Sequence, residues 1–141
     1  MRKIVVALFS CAVLSAVLVA NAPSKAEAQT VSGEAAVAEA QSYIGATYGA
    51  GGLDCSGFTS AVYAGLGVSL PDDPAAQYSY GVPSAGAAGD LVFFDEAGYG
   101  ISHVGIATGY GTVIHSSIYT GTVTETPISD IPGYVGAVDP A

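Results

Sequence analysis

The sequence predicts an α+β domain, with helices in its first part packed on an antiparallel β-sheet formed by its second. Two observations carry this. Between residues 32 and 80, apolar residues recur at helical spacing behind side chains suited to capping. Beyond Pro83 the chain turns to short apolar or alternating runs separated by glycine turns. Half of the 141 residues are apolar and nine are tyrosine, which is not the composition of a disordered chain.

The elements follow in order. Ser32 can cap a helix running through Glu34, Val37, Ala40, Gln41 and Ile44, with Gly45 as its stop. Val37, Ala40 and Ile44 form a narrow apolar stripe on it. Tyr48 to Gly52 is a glycine-rich turn. Asp54 can cap a second helix carrying Phe58, Val62 and Tyr63, which stops at Gly65-Leu66-Gly67. Its apolar spacing predicts burial. Pro74 can open a short third helix containing Gln77. Leu91-Val92-Phe93-Phe94 reads as a buried strand. Residues 104–108 and 112–116 flank the turn Gly109-Tyr110-Gly111 and predict a hairpin. Residues 120–126 alternate as a half-exposed strand, and 134–138 supply a fifth.

The N-terminus has its own pattern. Arg2 and Lys3 precede an apolar run from Ile4 to Ala20, and Ala26-Glu27-Ala28 has the small-x-small form of a cleavage site. This predicts a signal peptide over residues 1–28, a short lead-in over 29–34 and one domain over 35–141. The protein is then secreted, to the periplasm, cell wall or medium. An uncleaved anchor is the alternative, because the run is near the lower length limit for crossing a bilayer. Cleavage would remove Arg2, Lys3 and Lys25, the only basic residues, and leave eleven acids with a formal charge of −11. Nucleic acid is excluded as a partner, since phosphate binding needs Lys or Arg. Anionic membranes and wall polymers would repel such a chain, whereas a cationic or amine-bearing partner suits it. No other stretch is apolar enough for stable membrane insertion, and a monomer is expected.

Cys11 leaves with the signal, so Cys55 has no disulfide partner. Such a thiol is either buried and inert or chemically employed. His103 and His115 are the only histidines. With Asp54 as cap, the Cys55 sulfur lies in the first turn of a helix, where unpaired N–H groups and the helix dipole favour a thiolate. His103 opens a strand and can act as general base. His115, across the hairpin, would accept the Nδ1–H of His103 and orient its ring. The Cys55 N–H is a natural oxyanion donor, and Tyr48 can add a hydroxyl. Each piece also has a plainer reading: a capped helix beside a small buried cysteine, a core histidine, a strand histidine facing solvent. Zinc held by all three is a further reading. Structural zinc sites bring closely spaced ligand pairs, which this chain lacks, so no metal is expected.

In combination the motifs are more specific. Tyr48-Gly49-Ala50-Gly51-Gly52 precedes Asp54-Cys55-Ser56-Gly57-Phe58, followed by Leu70-Pro71 and Gln77. Then come Gly89-Asp90-Leu91-Val92-Phe93-Phe94, Ser102-His103-Val104-Gly105-Ile106 and Val113-Ile114-His115-Ser116. This order resembles the NlpC-type family of peptidoglycan endopeptidases, cysteine peptidases of compact papain-like fold, over roughly residues 35–138. The resemblance implies Cys55 as nucleophile, His103 as base and His115 as third member. It also implies that Tyr48, Asp54, Ser56 and Ser102 line the substrate groove, and that no cofactor is needed. The implied reaction cleaves peptidoglycan stem peptides between γ-D-glutamate and a diamino acid through an acyl-enzyme. A weakly active or inactive wall-binding module of the same fold, or a thiol amidase or acyltransferase with another substrate, are the alternatives. Two features depart from the family pattern. Asp72-Asp73 follows Leu70-Pro71 where a basic residue is common, and only Leu53 separates Gly52 from Asp54. A substrate carboxylate must then be held by backbone N–H groups or by Ser and Tyr hydroxyls.

Overall fold

The computed structural model describes residues 31–141. The expected signal peptide and its cleavage site lie outside the described residues. Among the described residues three α-helices and six strands are formed, in the order the α+β reading expects.

Helix α1 (Gly33–Ser42) begins where Ser32 accepts the Ala35 N–H, satisfying one of the donors a helix start leaves free. Its fully buried residues are Ala36 and Ala40, with Val37 packed alongside. The expected stripe therefore needs one correction. Ile44 lies beyond the helix and is half-exposed, and Ala36 takes the core position. The reason is that the chain is drawn away early: the Gly45 N–H bonds to the Val123 carbonyl and the Tyr48 N–H to that of Gly121. Residues 45–48 thus run along the free edge of the sheet, with a bridge between Thr47 and Thr122.

Helix α2 (Cys55–Gly65) starts at Asp54, whose carboxylate accepts the Gly57 N–H at 2.7 Å. Phe58, Val62 and Tyr63 recur at helical spacing and are buried against the sheet. The Tyr63 hydroxyl donates to the Gly89 carbonyl. Helix α3 (Pro74–Tyr80) has Pro74 in its first turn and Asp73 as its cap. Gln77 on α3 is completely buried and hydrogen-bonded on both ends of its amide. Its Oε1 accepts from Thr59, and its Nε2 faces the Ser56 and Pro71 carbonyls and the Ser60 hydroxyl.

The strands are β1 (Val82–Ser84), β2 (Leu91–Phe94), β3 (His103–Ala107), β4 (Thr112–Ser117), β5 (Thr122–Pro127) and β6 (Tyr134–Asp139). They pair antiparallel in the spatial order β1-β6-β2-β3-β4-β5. Alternation gives each strand two faces. Leu91, Phe93, Val104, Ile106, Ile114, Val123 and Val138 meet the helices in the main core. Val92, Phe94, Ala107, Val113 and Ala137 form a second cluster on the other face, closed by Ile131. The expected hairpin is β3–β4, with Ile106 opposite Ile114. Strand β1 had no sequence signal: it has three residues, includes Pro83, and is a strand only because β6 offers a partner. No helix among the described residues is long and apolar enough to cross a membrane.

Candidate active site

The site is assembled where the first turn of α2 meets the start of β3. Asp54 fixes that turn as the sequence predicts. Gly57 permits it: a Cβ there would lie 1.8 Å from the Gly52 carbonyl oxygen, so only glycine lets the preceding turn fold under the helix start. The buried Ser116 hydroxyl on β4 donates to the Leu53 carbonyl at 2.7 Å. That bond ties the strand carrying His115 to the loop leading into Cys55. The Cys55 thiol points to the Ser102 carbonyl at 3.8 Å, immediately before His103.

His103 opens β3 and His115 lies on β4, both buried. Their rings meet edge to face, with centroids 4.9 Å apart at 82°. The contact is between His103 Nε2 and His115 Nδ1, at 2.7 Å. The expected use of the His103 Nδ1–H is therefore corrected: Nε2 is the nitrogen that faces His115, and Nδ1 takes no part in that contact. Ring rotation decides this, and a sequence has no record of it. The outer nitrogen of His115, Nε2, meets the Thr126 hydroxyl at 2.9 Å.

A cavity of about 420 Å³ opens onto these groups. Cys55, His103 and His115 line it, together with Tyr48, Ser102, Thr126, Glu96 and Asp130. Tyr48 and Ser102 thus stand where the groove residues were expected. Asp54 and Ser56 are not among the lining residues. Asp54 caps α2, and the buried Ser56 hydroxyl donates to Asp72 at 2.8 Å. Asp72 and Asp73 are likewise engaged in structure, one with Ser56 and the other capping α3. Thr126, Glu96 and Asp130 escaped the sequence reading. Thr126 is one hydroxyl in an alternating strand, and the two acids lie in loops with no motif around them.

Burial sets the charge state. It lowers His103 to about 4, with His115 adding to the shift, and lowers His115 to about 4. Burial also raises the Cys55 thiol, aided by the Asp54 charge and opposed by backbone N–H groups including those of Val104 and Ser56. The expected helix-start stabilisation of a thiolate is present but outweighed by desolvation. The resting site at neutral pH is therefore a thiol beside two neutral imidazoles. Burial first, then the Cys55 and Asp54 charges, raises the Tyr48 phenol as well, so it remains a donor.

The model of the NlpC/P60 family matches residues 40–132. The chain belongs to the NlpC/P60 family. Over 90 residues it is 48% identical to the probable endopeptidase p60 of Listeria innocua, covering 58% of this chain and 19% of that protein. With the gamma-D-glutamyl-L-lysine dipeptidyl-peptidase of Bacillus cereus it shares 36% over 98 residues, covering 66% of this chain and 29% of that protein. The crystal structure of the NlpC/p60 domain of the peptidoglycan hydrolase SagA matches with a TM-score of 0.67 and 37% identity, over 77% of this chain and 99% of that domain. The chain therefore spans about a fifth of the length of the Listeria protein and nearly all of the solved NlpC/P60 domain. The papain-like arrangement is the one seen, with the cysteine at a helix start and both histidines on the sheet beside it.

Proposed function

We propose that this NlpC/P60 domain is a cysteine peptidase that hydrolyses an amide bond in peptidoglycan stem peptides. The observation that carries the reading is the shared cavity: the one described thiol, and two buried imidazoles in contact with each other, open onto a single groove. His103 takes the thiol proton on Nδ1 while the Cys55 sulfur attacks the substrate carbonyl. The Cys55 N–H, at the first helical position and without an acceptor inside the helix, holds the oxyanion. The tetrahedral adduct collapses as His103 returns its proton to the leaving amine, leaving an acyl thioester. A water, deprotonated by His103, then attacks the thioester. The product acid departs and the thiol is restored. Cys55, His103 and His115 complete the chemistry without a cofactor.

For the bond itself we favour γ-D-glutamyl to diamino acid, as the name of the Bacillus cereus relative suggests. The groove suits the amine of such a residue. Residues 31–141 contain no Lys or Arg, and the carboxyl groups lining the cavity are those of Glu96 and Asp130. Export through residues 1–28 belongs to the same reading, because the substrate lies outside the cytoplasm. The protein incubated with purified peptidoglycan is expected to release free amines and shortened stem peptides. Identical products from wild type and Cys55→Ala would remove the reading.

A further inference from the structure

His103 can accept the thiol proton only if Nδ1 is bare when the substrate arrives. Its single proton must then sit on Nε2 and be donated to His115 Nδ1, across the 2.7 Å contact. That in turn requires His115 to carry its own proton on Nε2. His115 is 5% exposed, so little of its ring reaches the cavity and this N–H is best satisfied by a protein group. The Thr126 hydroxyl, 2.9 Å away, is that partner. Strand register explains the placement. His115 pairs with Thr124 and Val113 with Thr126, so Thr126 stands diagonally across from His115 on the same face of β5.

We propose that Thr126 is a positioning residue of this site, the outermost member of a relay Cys55–His103–His115–Thr126 that holds His115 as its Nε2–H tautomer. This rests on the reading of Cys55 and His103 as nucleophile and base. When His103 gains the thiol proton, its Nε2–H bond to His115 becomes charge-assisted, and polarisation passes outward to the bond with Thr126. The hydroxyl therefore matters most in the charged state, which is the state that leads to attack.

The test compares Thr126→Val, which keeps the shape and removes the hydroxyl, with Thr126→Ser, which keeps the hydroxyl. The valine variant is expected to lose about tenfold in kcat with KM unchanged, the magnitude of one charge-assisted hydrogen bond. Its acid limb is expected to move to lower pH, because His103 becomes a weaker base. The other titratable groups lining the cavity, Tyr48 before α2, Cys55 on α2, Glu96 between β2 and β3, Tyr119 between β4 and β5, and Asp130 after β5, are the same in every variant. Serine is expected to restore both kcat and the acid limb. Nitrogen-detected NMR of the wild type is expected to find the His115 proton on Nε2, and this readout needs neither substrate nor variant. A proton on Nδ1, a valine variant within twofold of wild type in kcat, or a serine variant no better than valine overturns the relay. If Cys55→Ala abolishes cleavage while Thr126→Val leaves it intact, the relay alone fails. If neither changes cleavage, the peptidase reading fails with it.

Discussion

Gly105 lets β3 and β4 approach closely beside the two histidines. It is buried in β3 opposite Val92. A Cβ at this position would lie 2.4 Å from Val113 Cγ2, 2.8 Å from the Ile114 carbonyl oxygen and 2.9 Å from His115 Cβ. Ordinary contact begins at 3.4 Å. Val113 can turn its methyl aside, but the backbone oxygen and the His115 Cβ can only move with the strand. For Gly105→Ala, β4 must therefore recede by roughly half an ångström or more, a response a close-packed interior resists. The 2.7 Å contact between His103 and His115 then stretches to about 3.2 Å or beyond, the outer edge of a good hydrogen bond. Overpacking of this kind costs about 1–3 kcal/mol, and misplacement on this scale costs up to about 100-fold in rate. Thermal unfolding is expected to fall by several degrees, and kcat/KM on stem peptides by about 10- to 100-fold. Val113→Ala added to Gly105→Ala relieves only the side-chain clash, so activity is expected to stay low. A Gly105→Ala protein that folds and cleaves within threefold of wild type would refute the argument.

Other expectations follow from the same structure. Activity needs neutral His103, so the rate is expected to fall only as pH drops through about 4, well below the ordinary imidazole range, and the alkaline limb to lie above the ordinary thiol range. A pH–rate profile with its acid limb near 6.5 would contradict the burial assigned here. Stability follows the same groups. Both histidines are lowered on folding, so the unfolded chain binds more protons below pH 6.5, and stability is full above that pH and lost as pH falls toward 4. The loss is on the order of 3 kcal/mol for the first of the pair, measurable by urea titration at pH 7 and pH 4. Gln77→Ala strips partners from Thr59 and from the Pro71 and Ser56 carbonyls, and is expected to cost about 2–4 kcal/mol by urea unfolding; a change within 0.5 kcal/mol would show that water replaces the amide. Glu96→Gln with Asp130→Asn is expected to raise KM for stem peptides bearing a free amine and leave acetylated peptides unaffected. Equal effects on both would remove the amine from the recognition argument.

Much of this molecule was legible because its signals are local. Asp54 caps α2 as its position before an apolar helical run implies, and Ser32 does the same for α1. The runs at Leu91–Phe94 and 104–116 became the central strands, since continuous apolarity has few other uses in so short a segment. Cys55, His103 and His115 stood out because the chain has so few residues able to do their chemistry. What failed was non-local. Ile44 was assigned to a buried stripe, whereas pairing of residues 45–48 with β5 ends the helix first. Strand β1 exists only through β6, more than fifty residues later.

The sequence by itself determined the fold class, the caps and the three residues of the proposed chemistry, because each depends on side-chain identity and short-range spacing. Tertiary structure decided how those residues are arranged. It turned Nε2 of His103 toward His115, brought Thr126 to His115 from a neighbouring strand, buried both histidines, and covered the half-buried Cys55 enough that desolvation outweighs the helix start. Ring orientation, strand register and local dielectric are properties of surroundings assembled from distant parts of the chain. The same cysteine at the start of a solvent-exposed helix would favour a thiolate; here, beside β3, β4 and the glycine turn, desolvation keeps it a thiol.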